Sequence, residues 1–209
     1  PRPRAIVTTD GEVDDRDSLI RFLLYANEVD FAGIVQSSSS IHWQGSEDAY
    51  YEAGKVPYRW PGTEWLNDLL NGYEEVYSNL VVHDPGYATP NYLRSITKIG
   101  NIGFRGDMTG PTEGSDLIKE AILDDDPRTL YIQAWGGPNT IAVALKEIED
   151  EYKDTPEWPE LYKKICKKVV LNVCGLQDET YDRYIGIAYP DMTLVTIGFG
   201  VFAYSTRGQ

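Results

Sequence analysis

Along this chain the hydrophobic positions follow two rhythms, and the switches between them mark out strands and helices. Ala5-Ile6-Val7-Thr8-Thr9 is short, apolar and rich in β-branched residues, and it stops at Asp10-Gly11. Such a run predicts a buried strand. Leu19, Ile20, Phe22, Leu23 and Leu24 then recur at three- and four-residue spacing. That spacing predicts an amphipathic helix, which Asp14 or Asp15 can cap. Phe31 to Gln36 reads as a second strand, halted by the serines Ser37 to Ser40. Strand, helix and strand in such quick succession make a βαβ unit, hence a parallel pair joined by a right-handed crossover.

Residues 41–114 carry less pattern and more Trp, Tyr, Gly and Pro. Within them, Leu66 to Leu80 has helical spacing and Tyr92 to Ile99 reads as a short helix. Gly100 to Gly114 holds five glycines and reads as a long loop, a kind of segment that is often functional. Ser115 to Leu123 restarts a helix, with Ser115 or Asp116 near its cap. Thr129 to Ala134 is a strand, Gly136-Gly137-Pro138-Asn139 a turn, and Thr140 to Ile148 an amphipathic helix. Glu160 to Lys168 predicts a helix, Val169 to Val173 a strand, Tyr181 to Ala188 a helix, and Met192 to Ile197 a last strand. This alternation argues for an α/β fold built on an open, mostly parallel, doubly wound sheet. With no internal repeat, low-complexity tract or linker, residues 1–209 read as a single domain.

Composition narrows the functions available. Apolar residues at 42% support a sizeable core, and no apolar run has the length of a membrane span. The net charge is −14, which repels phosphate backbones and disfavours nucleic acid as a partner. Two cysteines, Cys166 and Cys174, are too few for a disulfide framework and read as free thiols. The chain opens on Pro1-Arg2-Pro3-Arg4 without Met, which suggests a processed or trimmed N-terminus.

Open α/β sheets bind ligands beyond the carboxyl ends of their strands, so the residues just past each strand are the candidates for chemistry. After the first strand come Asp10, Glu12, Asp14 and Asp15, four acids in six positions. A helix N-terminus welcomes one or two acids; four that begin at a strand tip suggest a hard cation held by oxygen ligands. Beyond the second strand, His42 can donate a proton to a leaving group, and Trp43 can stack on a sugar or base. His83 has no such placement and reads as structural. In Gln133-Ala134-Trp135-Gly136-Gly137-Pro138-Asn139-Thr140 the glycines allow backbone to approach a ligand closely; Trp135 and Asn139 are candidates there. Cys174-Gly175-Leu176-Gln177-Asp178-Glu179-Thr180 sets Gln177 and Asp178 beyond a further strand.

The same residues carry a family resemblance. Asp10-Gly11-Glu12-Val13-Asp14-Asp15 resembles the N-terminal aspartate cluster of nucleoside hydrolases, and Trp135-Gly136-Gly137-Pro138-Asn139-Thr140-Ile141-Ala142 resembles their later glycine-rich turn. Val7 to Ser18, taken with Ser-Ser-Ser-Ile-His-Trp at 38–43, is similar to a divergent branch: the nucleoside-hydrolase-like domain of so-called cellulose-binding proteins. The likeness runs from about residue 5 to about residue 195. It implies a calcium ion holding a catalytic water, with Asp10 as ligand and general base, Asp15 as the main ligand, Asp14 on the sugar hydroxyls and the Trp135 carbonyl on the metal. It also points to a secreted or periplasmic protein.

The chain departs from that pattern in three places. Thr8 stands where relatives begin the motif with another Asp. Glu12 replaces a small residue, so it either intrudes on the pocket or adds a ligand. The late Asp with a neighbouring His has no counterpart after residue 180, where Asp182 and Asp191 lack one. The chain is then truncated at its C-terminus, or the site is incomplete, or His42 substitutes. Three functions follow as expectations: a hydrolase of a nucleoside or related sugar, a polysaccharide-binding domain on a degenerate hydrolase scaffold, and a structural domain whose acids only cap a helix. Five Trp and fifteen Tyr suit the second, as they suit an ordinary core.

Overall fold

The computed structural model describes residues 1–197; the last stretch of the predicted domain, 198–209, lies outside the described residues. Among the described residues six strands form one sheet: β1 (Arg4–Thr9), β2 (Asp30–Gln36), β3 (Thr97–Ile99), β4 (Leu130–Ala134), β5 (Val169–Cys174) and β6 (Thr193–Ile197). They are ordered β3-β2-β1-β4-β5-β6, and every pairing is parallel. The chain thus starts at the centre of the sheet and winds outward in both directions. That places the reversal of strand order between β1 and β4, where ligands gather in open α/β sheets.

Six principal helices accompany the strands: α1 (Val13–Leu23), α2 (Glu64–His83), α3 (Pro90–Ser95), α4 (Glu113–Leu123), α5 (Asn139–Tyr152) and α6 (Trp158–Lys168). None among the described residues is long and apolar enough to cross a membrane. Neighbours along β2 show why helices lie on both sides. Ile34 packs with Leu19, Leu23, Leu66 and Leu70 of α1 and α2, whereas Val35 packs with Ile118 and Ile122 of α4 and Leu145 of α5. Successive strand residues point to opposite faces, so each face needs its own helical cover. Ile132 is fully buried in the second of these cores. Its truncation to Ala is expected to cost about 2–5 kcal/mol, read as a lower denaturation midpoint with an unchanged slope.

Some sequence expectations shift in detail. The helix predicted over Tyr92 to Ile99 ends at Ser95; Thr97–Ile99 instead pairs with β2 as a three-residue edge strand, suiting its β-branched Thr and Ile. α4 is capped by Thr112, which accepts from Ser115 N at 3.1 Å while Ser115 Oγ returns a bond to Thr112. Ser115 is therefore the inner half of a capping box rather than the cap. α1 begins one residue before Asp14, with no side-chain cap bond, and Asp14 and Asp15 lie in its first turn. Cys166 and Cys174 are free thiols. At the amino end of the sheet, Arg4 and Lys168 both bind Asp124, and Arg128 bridges Asp126 and Asp30. Several acids are spent there, away from the candidate site.

Candidate functional site

Beyond the carboxyl ends of β1, β2, β4 and β5 the polar residues converge. Asp10 leaves the tip of β1, and Gly11 turns the chain with φ of +78°, a conformation glycine adopts without strain. A side chain at Gly11 would also strike the indole of Trp65 at 2.8 Å. The turn brings Glu12 N to Asp10 Oδ1 at 2.9 Å. From β2, Ser37 N bonds Thr9 O, and Ser39 folds the next turn by accepting from His42 N at 3.2 Å. His42 Nδ1 thereby lies 3.4 Å from Asp10 Oδ2 and 3.9 Å from Glu12 Oε2. Arg59 holds the other oxygen of Glu12 at 2.8 Å.

Asp10 and His42 are 2% and 4% exposed. The contact falls short of hydrogen-bond alignment, so His42 Nδ1 is buried with no partner among the described residues. Thr8 Oγ1, Gln36 Oε1 and Ser37 Oγ, from the ends of the same two strands, are also buried without a partner. Leaving one such group unsatisfied costs about 1–3 kcal/mol, and these four lie at or beyond the ends of two adjacent strands. Burial works to raise the Asp10 carboxyl, but His42 first, then Ser39 and the Glu12 N–H, hold it below its usual value. Asp15 behaves oppositely. Burial and the charge of Asp10 push it up to about 8. Its Oδ2 accepts from Thr9 Oγ1 at 2.7 Å and from Asp10 N at 3.1 Å, beneath the tip.

Among the described residues, one group of His, Cys, Asp and Glu has its ligand atoms all within 4.8 Å of one another: Asp10, Glu12 and His42. It can hold a metal ion. Asp14, half-buried, and Asp15 are not part of it. The Trp135 carbonyl accepts a hydrogen bond from the Gln177 amide, which also reaches Cys174 O; the Trp135 ring packs against Phe22. Of the expected ligands, Asp10 alone lies in the cluster, and Glu12 and His42 complete it.

The other candidates take up structural work. Trp43 is 6% exposed, donates its indole N–H to Val56 O at 2.9 Å and packs with Ala49 and Phe104; its ring is a small satellite core, not a stacking face. Asn139 Nδ2 ties down the glycine-rich loop by donating to Asn101 O and Asp107 O at 2.8 and 3.0 Å. Asp178 lies across the start of α5, accepting from Asn139 N at 3.2 Å and from Thr180 N and Oγ1 at 2.8 and 2.5 Å. Asn101 and Asp107 had no signal of their own in the sequence beyond lying in that five-glycine loop.

Asp178 makes stability depend on pH. Burial raises its carboxyl to about 6, with Thr180 pulling the other way. Because the folded value exceeds the ordinary one, the native state binds this proton more tightly than the unfolded chain. The stabilisation is complete below about pH 4 and is lost as pH rises through about 6; a gap of that size is worth roughly 3 kcal/mol. Asp178→Asn is expected to flatten the pH dependence of unfolding free energy between pH 4 and 6, measured by urea titration against the parent.

An open, all-parallel sheet with an acid–imidazole cluster past its central strand is a doubly wound α/β architecture. This chain belongs to the family described as cellulose-binding Sde182, nucleoside hydrolase-like domain, whose model matches residues 4–207. A similar solved structure is a nucleoside hydrolase-related hypothetical protein from Saccharophagus degradans that is associated with carbohydrate metabolism. The two are 32% identical, with a TM-score of 0.68 over 86% of this chain and 40% of that one. The chain thus spans less than half the length of that relative. No curated protein matches it.

Proposed function

We propose that this chain hydrolyses a glycosidic bond, of a riboside or related sugar, with Asp10 as the general base. The buried Asp10–His42 pair supports this most: a carboxylate held ionised at a strand tip, 3.4 Å from an imidazole nitrogen, is equipped to move a proton. Asp10 takes a proton from water as the water oxygen bonds to the anomeric carbon. The glycosidic bond breaks, its electron pair leaves with the aglycone, and His42 supplies the proton that neutralises it. The oxocarbenium-like transition state is positive, and the carboxylates crowded at this tip favour it. Asp14, in the first turn of α1 and without a side-chain partner among the described residues, is the residue we assign to the sugar hydroxyls.

Calcium enters through the family resemblance, and the donors present do not fit it. Calcium takes six to eight oxygens. Here the cluster contributes two carboxylates and a nitrogen, Asp14 lies outside it, Asp15 Oδ2 is engaged with Thr9 and the Asp10 amide, and the Trp135 carbonyl accepts from Gln177. No step above passes through calcium. The test is release of free sugar from a panel of nucleosides and aryl glycosides; no turnover of any of them would remove the hydrolase reading.

One feature favours a second reading, sugar binding without turnover. Tyr50 and Tyr58 are strongly exposed. Tyr58 lies 4.8 Å from the ring of Trp43, which follows His42 in the chain, and Tyr50 binds Glu179 beside Asp178. Exposed aromatic faces of this kind stack on sugars. The matched family's description includes cellulose binding. Retention on cellulose, lost in Tyr50→Ala/Tyr58→Ala, with no sugar released, is the result this reading expects.

A further inference from the structure

We infer that the Asp10–Glu12–His42 cluster is a site for a first-row transition-metal dication of the zinc type rather than for calcium. The inference rests on the reading that this strand tip is the functional centre, and it adds the chemistry of the ion: Asp10 Oδ2 and His42 Nδ1 would hold it, leaving Asp10 Oδ1 and His42 Nε2 for the proton transfers of that reading. The first argument is the donor set. An imidazole nitrogen with two carboxylates suits zinc and its neighbours, whereas calcium selects oxygen. The second is spacing. Ligands about 2.1 Å from a tetrahedral zinc stand roughly 3.4 Å apart. The structure has 3.4 Å from His42 Nδ1 to Asp10 Oδ2 and 3.9 Å from the same nitrogen to Glu12 Oε2. Two of the three separations are thus near that spacing, and all three ligand atoms, from two separate turns, lie within 4.8 Å of one another.

The third argument is independent of the acids. His42 is 4% exposed, and among the described residues its Nδ1 is buried with no hydrogen-bond partner although it lies 3.4 and 3.9 Å from two carboxylates. A coordinate bond would satisfy that nitrogen. Supporting contacts are present as well: Glu12 is fixed by Arg59, Asp10 by the Glu12 N–H, and the His42 backbone by Ser39. Partners that orient ligands in this way are part of functional metal sites. Three protein ligands also leave a coordination position open, as catalytic zinc sites do.

The chain has two histidines, His42 and the exposed His83 at the end of α2, so imidazole resonances report the site with a built-in control. Histidine-labelled protein stripped with EDTA is titrated with zinc chloride and, separately, with calcium chloride. We expect one equivalent of zinc to shift the His42 resonances and leave His83 in place, EDTA to reverse the shift, and millimolar calcium to do nothing. Asp10→Asn and Glu12→Gln are expected to lose the stoichiometric response; should either fail to fold, the parent titration still decides. Calcium binding at this tip without zinc at His42, zinc moving His83 as much as His42, or no response to either ion would each overturn the inference. None of these outcomes bears on the sugar-release assay, and absence of turnover in a protein that binds zinc at His42 would instead remove the hydrolase reading alone.

Discussion

Asp10→Asn is expected to lower glycoside hydrolysis by about 10²- to 10⁴-fold, the usual contribution of a positioned general base. The substitution keeps the shape of the side chain, and Oδ1 can still accept from the Glu12 N–H. It removes the charge that faces His42 and the ability to take a proton from water. Circular dichroism should be unchanged, because Asp10 lies past the last residue of β1 and the strand pairings on both sides end before it. The loss should fall on kcat rather than KM, since the base acts in the transition state. A variant retaining more than a tenth of the parent's kcat would remove Asp10 from this role.

Gly137→Ala is expected to damage fold and site together. A Cβ there would stand 2.2 Å from Asp178 Oδ2 and 2.8 Å from the Ser38 backbone oxygen. The first contact strains the bond from Asn139 N to Asp178 Oδ2, which lies across the start of α5. The second presses on the serine turn that carries His42, because Gly137 N bonds Ser38 O at 2.9 Å. Overpacking of this kind typically costs about 1–3 kcal/mol, and the displaced His42 would lower activity beyond what the lost stability explains. The measurement is urea denaturation with kcat taken well below the midpoint. Parent-like values of both would show that the turn yields freely.

The sequence made the position of the candidate site legible, because strand tips are easy to find. Asp10 and Gly11 end an unmistakable apolar run, and His42 follows a serine stop after the next one. What could not be read was the phase of the helix between them. A start at Val13 turns Asp15 inward beneath Asp10 and leaves Asp14 half-buried, and only the fold fixes that start. Trp43 shows a second limit. Its ring is covered by Phe104 from a distant loop, a contact no local pattern encodes, so a stacking face and a satellite core look alike in sequence. Asn139 binds Asn101 and Asp107 for the same long-range reason. β3 went unread because three residues are too few to show a period.

The most direct test of the strand-tip centre is a crystal structure with a bound sugar or nucleoside analogue. The account predicts the sugar ring seated over β1, its anomeric carbon facing a water on the Asp10 carboxylate and its leaving side toward His42. A ring stacked on Tyr50 or Tyr58, with Asp10 and His42 touching nothing of it, would contradict that account.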